Sequence, residues 1–398
     1  MNTDEAHWSF GHAASILLPY TLRGTLLSFL YLILPAILRA GGTSLPMTSL
    51  STLVFLPVGL SWLWAPLMDR TAGRGRRTWI VGALLVASAV FAALSWLDPV
   101  ADYALVLTVA LMVAAAAATI GTATDAAIID GVAVRHRGWA NALQAAGVAL
   151  GGLAIGAVGI VYGAHGWAAT SIVMATAALA SAGFVAVAPL ATGINVNAPV
   201  LRPAAGTSLL RDRRVRHMLL IVILSRAALH LPMGIIAAFQ IDAGLSVASA
   251  ALIGGTGGAA AGLIGAVLGG AIATKLPPKR AIIATLAAVA TASLMLAASI
   301  ALQGATPGIA VILALYVFLL TTPVFVAMHR QFMLLARIGR HASDMSVLTG
   351  SEFLSGIMIA ATAGWIVQSA GYPTLFVLAG LSAFGGMMLV GRSLDEGS

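Results

Sequence analysis

Cysteine does not occur in this chain, and only 9% of its 398 residues are charged. The first absence excludes disulfides, thiol nucleophiles and thiolate metal sites. The second excludes a water-soluble surface, because soluble domains carry about 25% charged residues. The eight histidines show no HExxH-type spacing, so neither a metal site nor a cofactor is expected. A phosphate-binding loop and a Ser-His-Asp set are missing too, which argues against an enzyme. What is present is apolar: 60% hydrophobic residues and a mean hydropathy of +0.99. The lipid bilayer is therefore the solvent for this protein.

A helix needs about 20 apolar residues to cross the hydrocarbon. Twelve runs meet that length, at 13–38, 46–67, 78–97, 102–129, 139–162, 167–189, 217–240, 247–273, 281–302, 308–335, 344–368 and 372–391. Runs this long exclude barrel strands, so the expected fold is all-α with twelve transmembrane helices. The first run is too long for a signal-peptide core and is read as a retained span. Basic residues cluster after every second run: Arg70, Arg74, Arg76 and Arg77; Arg135 and Arg137; a group from Arg202 to Arg216; Lys275, Lys279 and Arg280; Arg337 and Arg340. The opposite connections hold Arg39 with Asp98 and Asp102. The positive-inside rule then puts both termini of a multi-pass membrane protein in the cytoplasm. The net charge of +8 thus reads as an orientation signal, and nucleic acid is not an expected partner.

The longest polar connection, 191–217, holds Pro, Gly, Asn and a run of arginines. It divides the chain into a first bundle, 1–190, and a second, 218–398, each of six spans. Sliding one half over the other by 203 residues aligns Arg23 with Arg226, Gly41 with Gly244, Gly59 with Gly262, and Gly147 with Gly350. The arginine match is the informative one, since both residues lie inside spans. A parallel repeat of two pseudo-symmetric six-helix bundles is a transporter architecture, with substrate held between the halves.

An arginine at the bilayer centre costs roughly 2.5–3.5 kcal/mol on insertion scales. Arg23 and Arg226 are read as a clamp for an anionic small molecule, because the planar guanidinium fork suits carboxylate or phosphate. The competing reading is that each pairs with an internal acid and holds helices together. Tyr20 lies three residues before Arg23, and His230 one turn after Arg226, so each shares its arginine's face. Arg330, beside His329, and Gln144 are further candidates for lining the cavity. Asp125 and Glu352 lie deep in their spans and are candidates for carrying a proton; the alternative for both is pairing with Arg226 or Arg330. Asp130, close to Arg135 and Arg137, is read as a gating or structural salt bridge. Glycines at 147, 151, 152, 156, 159 and 163 give span 5 a close-packing face, and span 8 reads the same way.

The stretch "APLMDRTAGRGRR", residues 65–77, resembles the signature of the major facilitator superfamily. That resemblance implies a cytoplasmic latch formed by Asp69, Arg70, Arg76 and Arg77. Residues 34–70, "LPAILRAGGTSLPMTSLSTLVFLPVGLSWLWAPLMDR", look like the branch holding muropeptide permeases, acetyl-CoA transporters and inner-membrane siderophore permeases. "DGVAVRHRGWANALQAAG" (130–147) and "GAHGWAA" (163–169) look most like siderophore permeases of the pyochelin and rhizobactin type. The resemblance implies a proton-coupled importer; these segments together with the paired arginines favour an anionic ferric siderophore as cargo, and a monomer is the expected unit. A muropeptide or other amphipathic organic anion is the alternative cargo, and export of a drug or siderophore the alternative direction.

Overall fold

The computed structural model describes residues 10–69, 74–131, 137–187, 213–335 and 341–393, and their regular structure is helical throughout. Helix α1 (Phe10–Ser28) passes through a π turn (Phe29–Ile33) into α2 (Leu34–Ala40). Pro35 explains the wide turn: it has no N–H to offer the Tyr31 carbonyl, and the Leu34 N–H reaches back five residues to Phe29 O. The second predicted span is broken rather than continuous. It runs through α3 (Leu45–Leu50), a 3₁₀ turn (Ser51–Phe55), α4 (Leu56–Gly59), a second 3₁₀ turn (Ser61–Leu63) and α5 (Ala65–Asp69). Pro46 and Pro57 sit in the first turns of α3 and α4, where a missing N–H costs nothing to the helix that follows but interrupts the one before. The remaining helices are α6 (Arg74–Leu94), α7 (Tyr103–Gly131), α8 (Arg137–Val187), α9 (Arg213–Asp242), α10 (Val247–Ala251), α11 (Gly258–Lys275), α12 (Pro278–Gln303), α13 (Pro307–Leu335) and α14 (His341–Ser393), with a π turn (Leu252–Gly257) between α10 and α11.

Among the described residues, ten helical segments are long and apolar enough to cross a membrane. Two of them, within α8 and α14, are far longer than a bilayer requires, and each contains a glycine with non-helical backbone: Gly166 (φ 75°, ψ −168°) and Gly371 (φ 80°, ψ 166°). The chain reverses at both. Before Gly166, α8 runs parallel to α1, with Gly147 on Tyr20 and Gly151 on Thr25. After it, α8 runs antiparallel to α6: Trp167 Nε1 donates to Leu94 O (2.7 Å), and Arg77 Nη1 donates to Ala186 O (3.2 Å). In α14 the limb before Gly371 parallels α9, with Gly356 on His230 and Ala360 on Gly234; the limb after it runs back, with Tyr372 at Asp242 and Gly386 at Leu224. A positive φ is open to glycine and strained for other residues, so these two positions set the hairpins.

The α6–α7 hairpin turns on Asp98, whose carboxylate accepts from the Ala101 N–H (2.7 Å) and the Val100 N–H (2.8 Å). Those bonds hold its carboxyl below the usual carboxylate range, and the residue lies outside the spans.

The two halves meet along two seams. In one, α3 lies against α14: Ser49 Oγ donates to Ala361 O (2.9 Å), and a Cβ on Gly364 would fall 2.1 Å from Leu45 O. In the other, the glycine face of α8 lies against α10 and the π turn after it: Cβ atoms at Gly156 and Gly159 would lie 2.5 Å from Thr256 Oγ1 and 2.4 Å from Ala251 Cβ. Glycines 147 and 151 face α1 instead, so the span 5 glycines serve two different contacts.

The π turn also revises the internal repeat. Positive-φ glycines end the first helix of each half, at Gly42 (φ 88°) and Gly244 (φ 86°), a spacing of 202 where Arg23 and Arg226 are spaced 203. The match of Gly41 to Gly244 is therefore displaced by one residue. The extra residue is absorbed in the wide turn at Phe29–Ile33.

Replacing Gly364 with Ala should separate α3 from α14, since the obstructing atoms are backbone. Overpacking of this kind costs about 1–3 kcal/mol. A lowered unfolding temperature in detergent is expected, and an unchanged one would show that the seam adapts freely.

Candidate functional site

The sequence places Tyr20, Arg23, Asp125 and Gln144 on three helices, and the fold brings all four together. Gly147 and Gly151 let α8 approach α1 closely, while α7 runs antiparallel to α1 on its other side. Asp125 of α7 accepts a hydrogen bond from the Tyr20 hydroxyl of α1 and one from Gln144 Nε2 of α8 (2.7 Å). Arg23 lies with its guanidinium carbon 5.6 Å from the centre of the Tyr20 ring, a cation–π arrangement. Its side chain presses on Gly121, where a Cβ would stand 2.6 Å from Arg23 Nε. The buried Nε of Arg23 makes no hydrogen bond, and among the described residues Arg23 has no ion-pair partner.

Arg23 and Asp125 both face a cavity of about 310 Å³ between the halves. Trp62, on the broken second span, Thr122 of α7, and Gly350 and Phe353 of α14 complete much of its wall. The break in the span helps shape this wall, since Val58, Gly59, Ser61 and Ala65 also line the cavity. The wall thus offers an unpaired cation, a carboxylate held by two donors, hydroxyls and exposed aromatic surface. Trp62, Thr122 and Phe353 carried no signal in sequence beyond membership of apolar runs.

Arg226 occupies a different environment. It is buried in α9 and forms an ion pair with Glu352 of α14, itself 1% exposed. His329 Nε2 of α13 lies 3.7 Å from the same carboxylate. The parallel packing of α9 and α14 produces this pairing, with His230 seated on Gly356 one turn further on. Of the two partners open to Glu352, the fold selects Arg226. Arg330 is directed elsewhere: it donates to the carbonyls of Ala273 and Leu276 (2.9 Å), which closes the C-terminal end of α11. The pseudo-equivalent arginines therefore differ, one facing the cavity and the other neutralised.

Arg76 is buried, and Arg77 is bonded to the end of α8 as described. Arg70 lies outside the described residues, as do the side chains of Asp69 and Asp130.

Deleting one partner of a buried ion pair costs about 3–5 kcal/mol, since the other charge is left uncompensated. Glu352→Ala is thus expected to lower stability by that order, and Arg226→Met combined with Glu352→Ala to recover most of it. Thermal unfolding in detergent of Glu352→Ala, Arg226→Met and the double variant provides the check; a loss in the double variant equal to the sum of the two single losses would exclude a coupled pair.

Comparison with known proteins agrees with this fold. The sequence pattern of the Major Facilitator Superfamily matches residues 16–359. The anhydromuropeptide permease of Escherichia coli strain K12 is 25% identical over 342 residues, covering 83% of this chain and 69% of the permease; that of strain O157:H7 matches to the same extent. Among solved structures, a D-xylose–proton symporter superposes with a TM-score of 0.73 at 14% identity, over 97% of this chain and 98% of its own. The xylose transporter of E. coli, in a partially occluded inward-open conformation, gives 0.70 at 13% identity over 96% and 100%. At such identities these structures speak for the fold alone. Taken with the two-half helical architecture and a match spanning most of the sequence, they lead to one conclusion: the chain belongs to the Major Facilitator Superfamily and is a multi-pass membrane transporter, not an enzyme.

Proposed function

We propose that the protein imports an amphipathic organic anion across the cytoplasmic membrane, coupled to protons, by alternating access of two six-helix halves. Twelve crossings follow if the limbs on either side of Gly166 and of Gly371 each span, with both termini cytoplasmic as the basic connections indicate. One observation carries the choice of an anion: Arg23 faces the cavity with its Nε unbonded and its charge without an ion-pair partner among the described residues. A guanidinium so placed gains most from a solute that brings a carboxylate or phosphate.

Tyr20 and Gln144 fix Asp125 beside it, and Trp62 and Phe353 offer surface to an apolar or ring-bearing part of the solute. Glu352, shared between Arg226 and His329, is the favoured proton site, because protonating it would release Arg226 toward the solute. His230 serves this second cluster through packing. Arg330 is assigned a structural role. Asp69, Arg70, Arg76, Arg77 and Asp130 remain the proposed cytoplasmic latch, and the working unit is taken to be a monomer.

The relative named for anhydromuropeptide makes a muropeptide the first cargo to test. Ferric siderophore, implied by the segments at 130–147 and 163–169, is the second. Labelled samples of each, offered to vesicles with and without an imposed proton gradient, should separate them. Losing a hydrogen bond to a charged group costs about 1.5–3 kcal/mol, so Arg23→Gln should reduce uptake of the true cargo by roughly 10- to 100-fold. Unaltered uptake by that variant would remove the anion reading, and indifference to a collapsed gradient would remove the proton.

A further inference from the structure

The end of the bundle opposite the arginine-rich connections is closed by a polar contact between the halves. Arg39, in the last turn of α2, donates through Nε to Asp242 Oδ1 (2.7 Å) and through Nη2 to Asp242 Oδ2 (3.0 Å). The Tyr372 hydroxyl, just past the reversal of α14, donates to the same Oδ2 (2.7 Å). Arg39 Nη1 donates in addition to Thr43 O (2.9 Å). The two helix ends that meet here are counterparts in the repeat: Arg39 lies three residues before Gly42, and Asp242 two before Gly244.

Three features set this contact apart from an ordinary surface ion pair. First, Asp242 is an acid in the last turn of its helix, where the helix's own negative end disfavours it. Its local surroundings do not account for it, whereas the cation from the other half does. Second, the geometry is a two-point fork, which fixes orientation as well as distance. Third, the side chains stay 24% and 21% exposed, so water can take over both charges when the halves part. A fully buried pair such as Arg226–Glu352 lacks that property.

The contact lies at the far end of the same helical run that carries Arg23. Sixteen residues separate Arg23 from Arg39 on one helical run, roughly 24 Å at the helical rise. Between them Tyr31 crosses to the other half, donating to Met233 O (3.2 Å) and meeting Phe318 edge-on at 6.2 Å.

We propose that Arg39, Asp242 and Tyr372 form the outer gate of the transport path, a charged clasp that holds this end shut while the cavity faces the other side. This rests on the alternating-access reading above. The clasp is needed only in one of the two states, so weakening it shifts their populations rather than unfolding the protein.

The absence of cysteine makes the test direct, because each introduced thiol is the only one in the molecule. Ser49→Cys places a thiol in the α3–α14 seam between the halves, at a site now 1% exposed. Labelling of purified protein with a maleimide, without substrate, reads the opening of that seam whatever the cargo is and whichever way the protein faces. Labelling should be slow in the Ser49→Cys protein and about 5- to 30-fold faster once Asp242→Asn or Arg39→Gln is added, the range that a loss of one or two kcal/mol gives. Tyr372→Phe should produce a smaller increase. Arg39→Asp with Asp242→Arg should return the rate toward the slow value. A thiol at Ser293, fully buried within the second half, should label slowly in every background. Unchanged labelling at 49 in Asp242→Asn would overturn the proposal, as would a parallel rise at 293, which would mean unfolding. Failure to transport either cargo bears on the functional reading and leaves this result standing.

Discussion

A guanidinium inside a membrane-spanning helix cannot be left to lipid, and the way this protein satisfies two of them organises much of the interior. Arg226 is answered within the protein, by Glu352 from the neighbouring parallel helix. Arg23 is answered only in part, by the face of Tyr20 and by Asp125 held beyond it. The close contacts around them follow from these demands. Gly121 admits the Arg23 side chain, Gly147 admits Tyr20, and Gly356 admits His230. Small residues in membrane helices are usually explained by backbone approach, which is true along the α8 seam. At these three positions they also make room for polar side chains.

The asymmetry between the arginines gives the repeat a division of labour. Each half contributes a cation at an equivalent position, yet one cavity-facing charge is retained and the other is stored against an acid. On the proposed function, a solute would act on one half and a proton on the other. The halves touch through two glycine-rich or small-residue seams and through polar contacts at one end. A continuous apolar cluster also spans both halves, with Leu30 and Ile33 of the first and Ile235 and Phe239 of the second among its members.

Much of the fold was legible in the amino-acid order, because membrane crossing depends on length and hydropathy. The runs, the cluster of basic connections and the two intramembrane arginines all follow from composition along the chain. The second span was legible as a run, but its alternation between α-helical and 3₁₀ geometry was not. Pro46 and Pro57 were visible, but whether they bend a helix or break it depends on whether neighbours take up the freed carbonyls. The hairpins at Gly166 and Gly371 were expected as gaps between runs, whereas regular helix continues almost to each glycine.

The sequence by itself determined that the solvent is lipid, that the chain is helical, and that Arg23 and Arg226 each stand inside an apolar run. Those are properties of local composition and of spacing along one axis. Only the tertiary structure decided which arginine keeps its charge free, that Arg330 serves a helix end, and that Arg39 meets Asp242. Helical spacing tells which face a residue shares, but not which helix packs on that face. A single π turn also shifts the register by one residue between the arginines and the helix ends beyond them. A pairing across the repeat therefore depends on backbone geometry that the residue count alone does not contain.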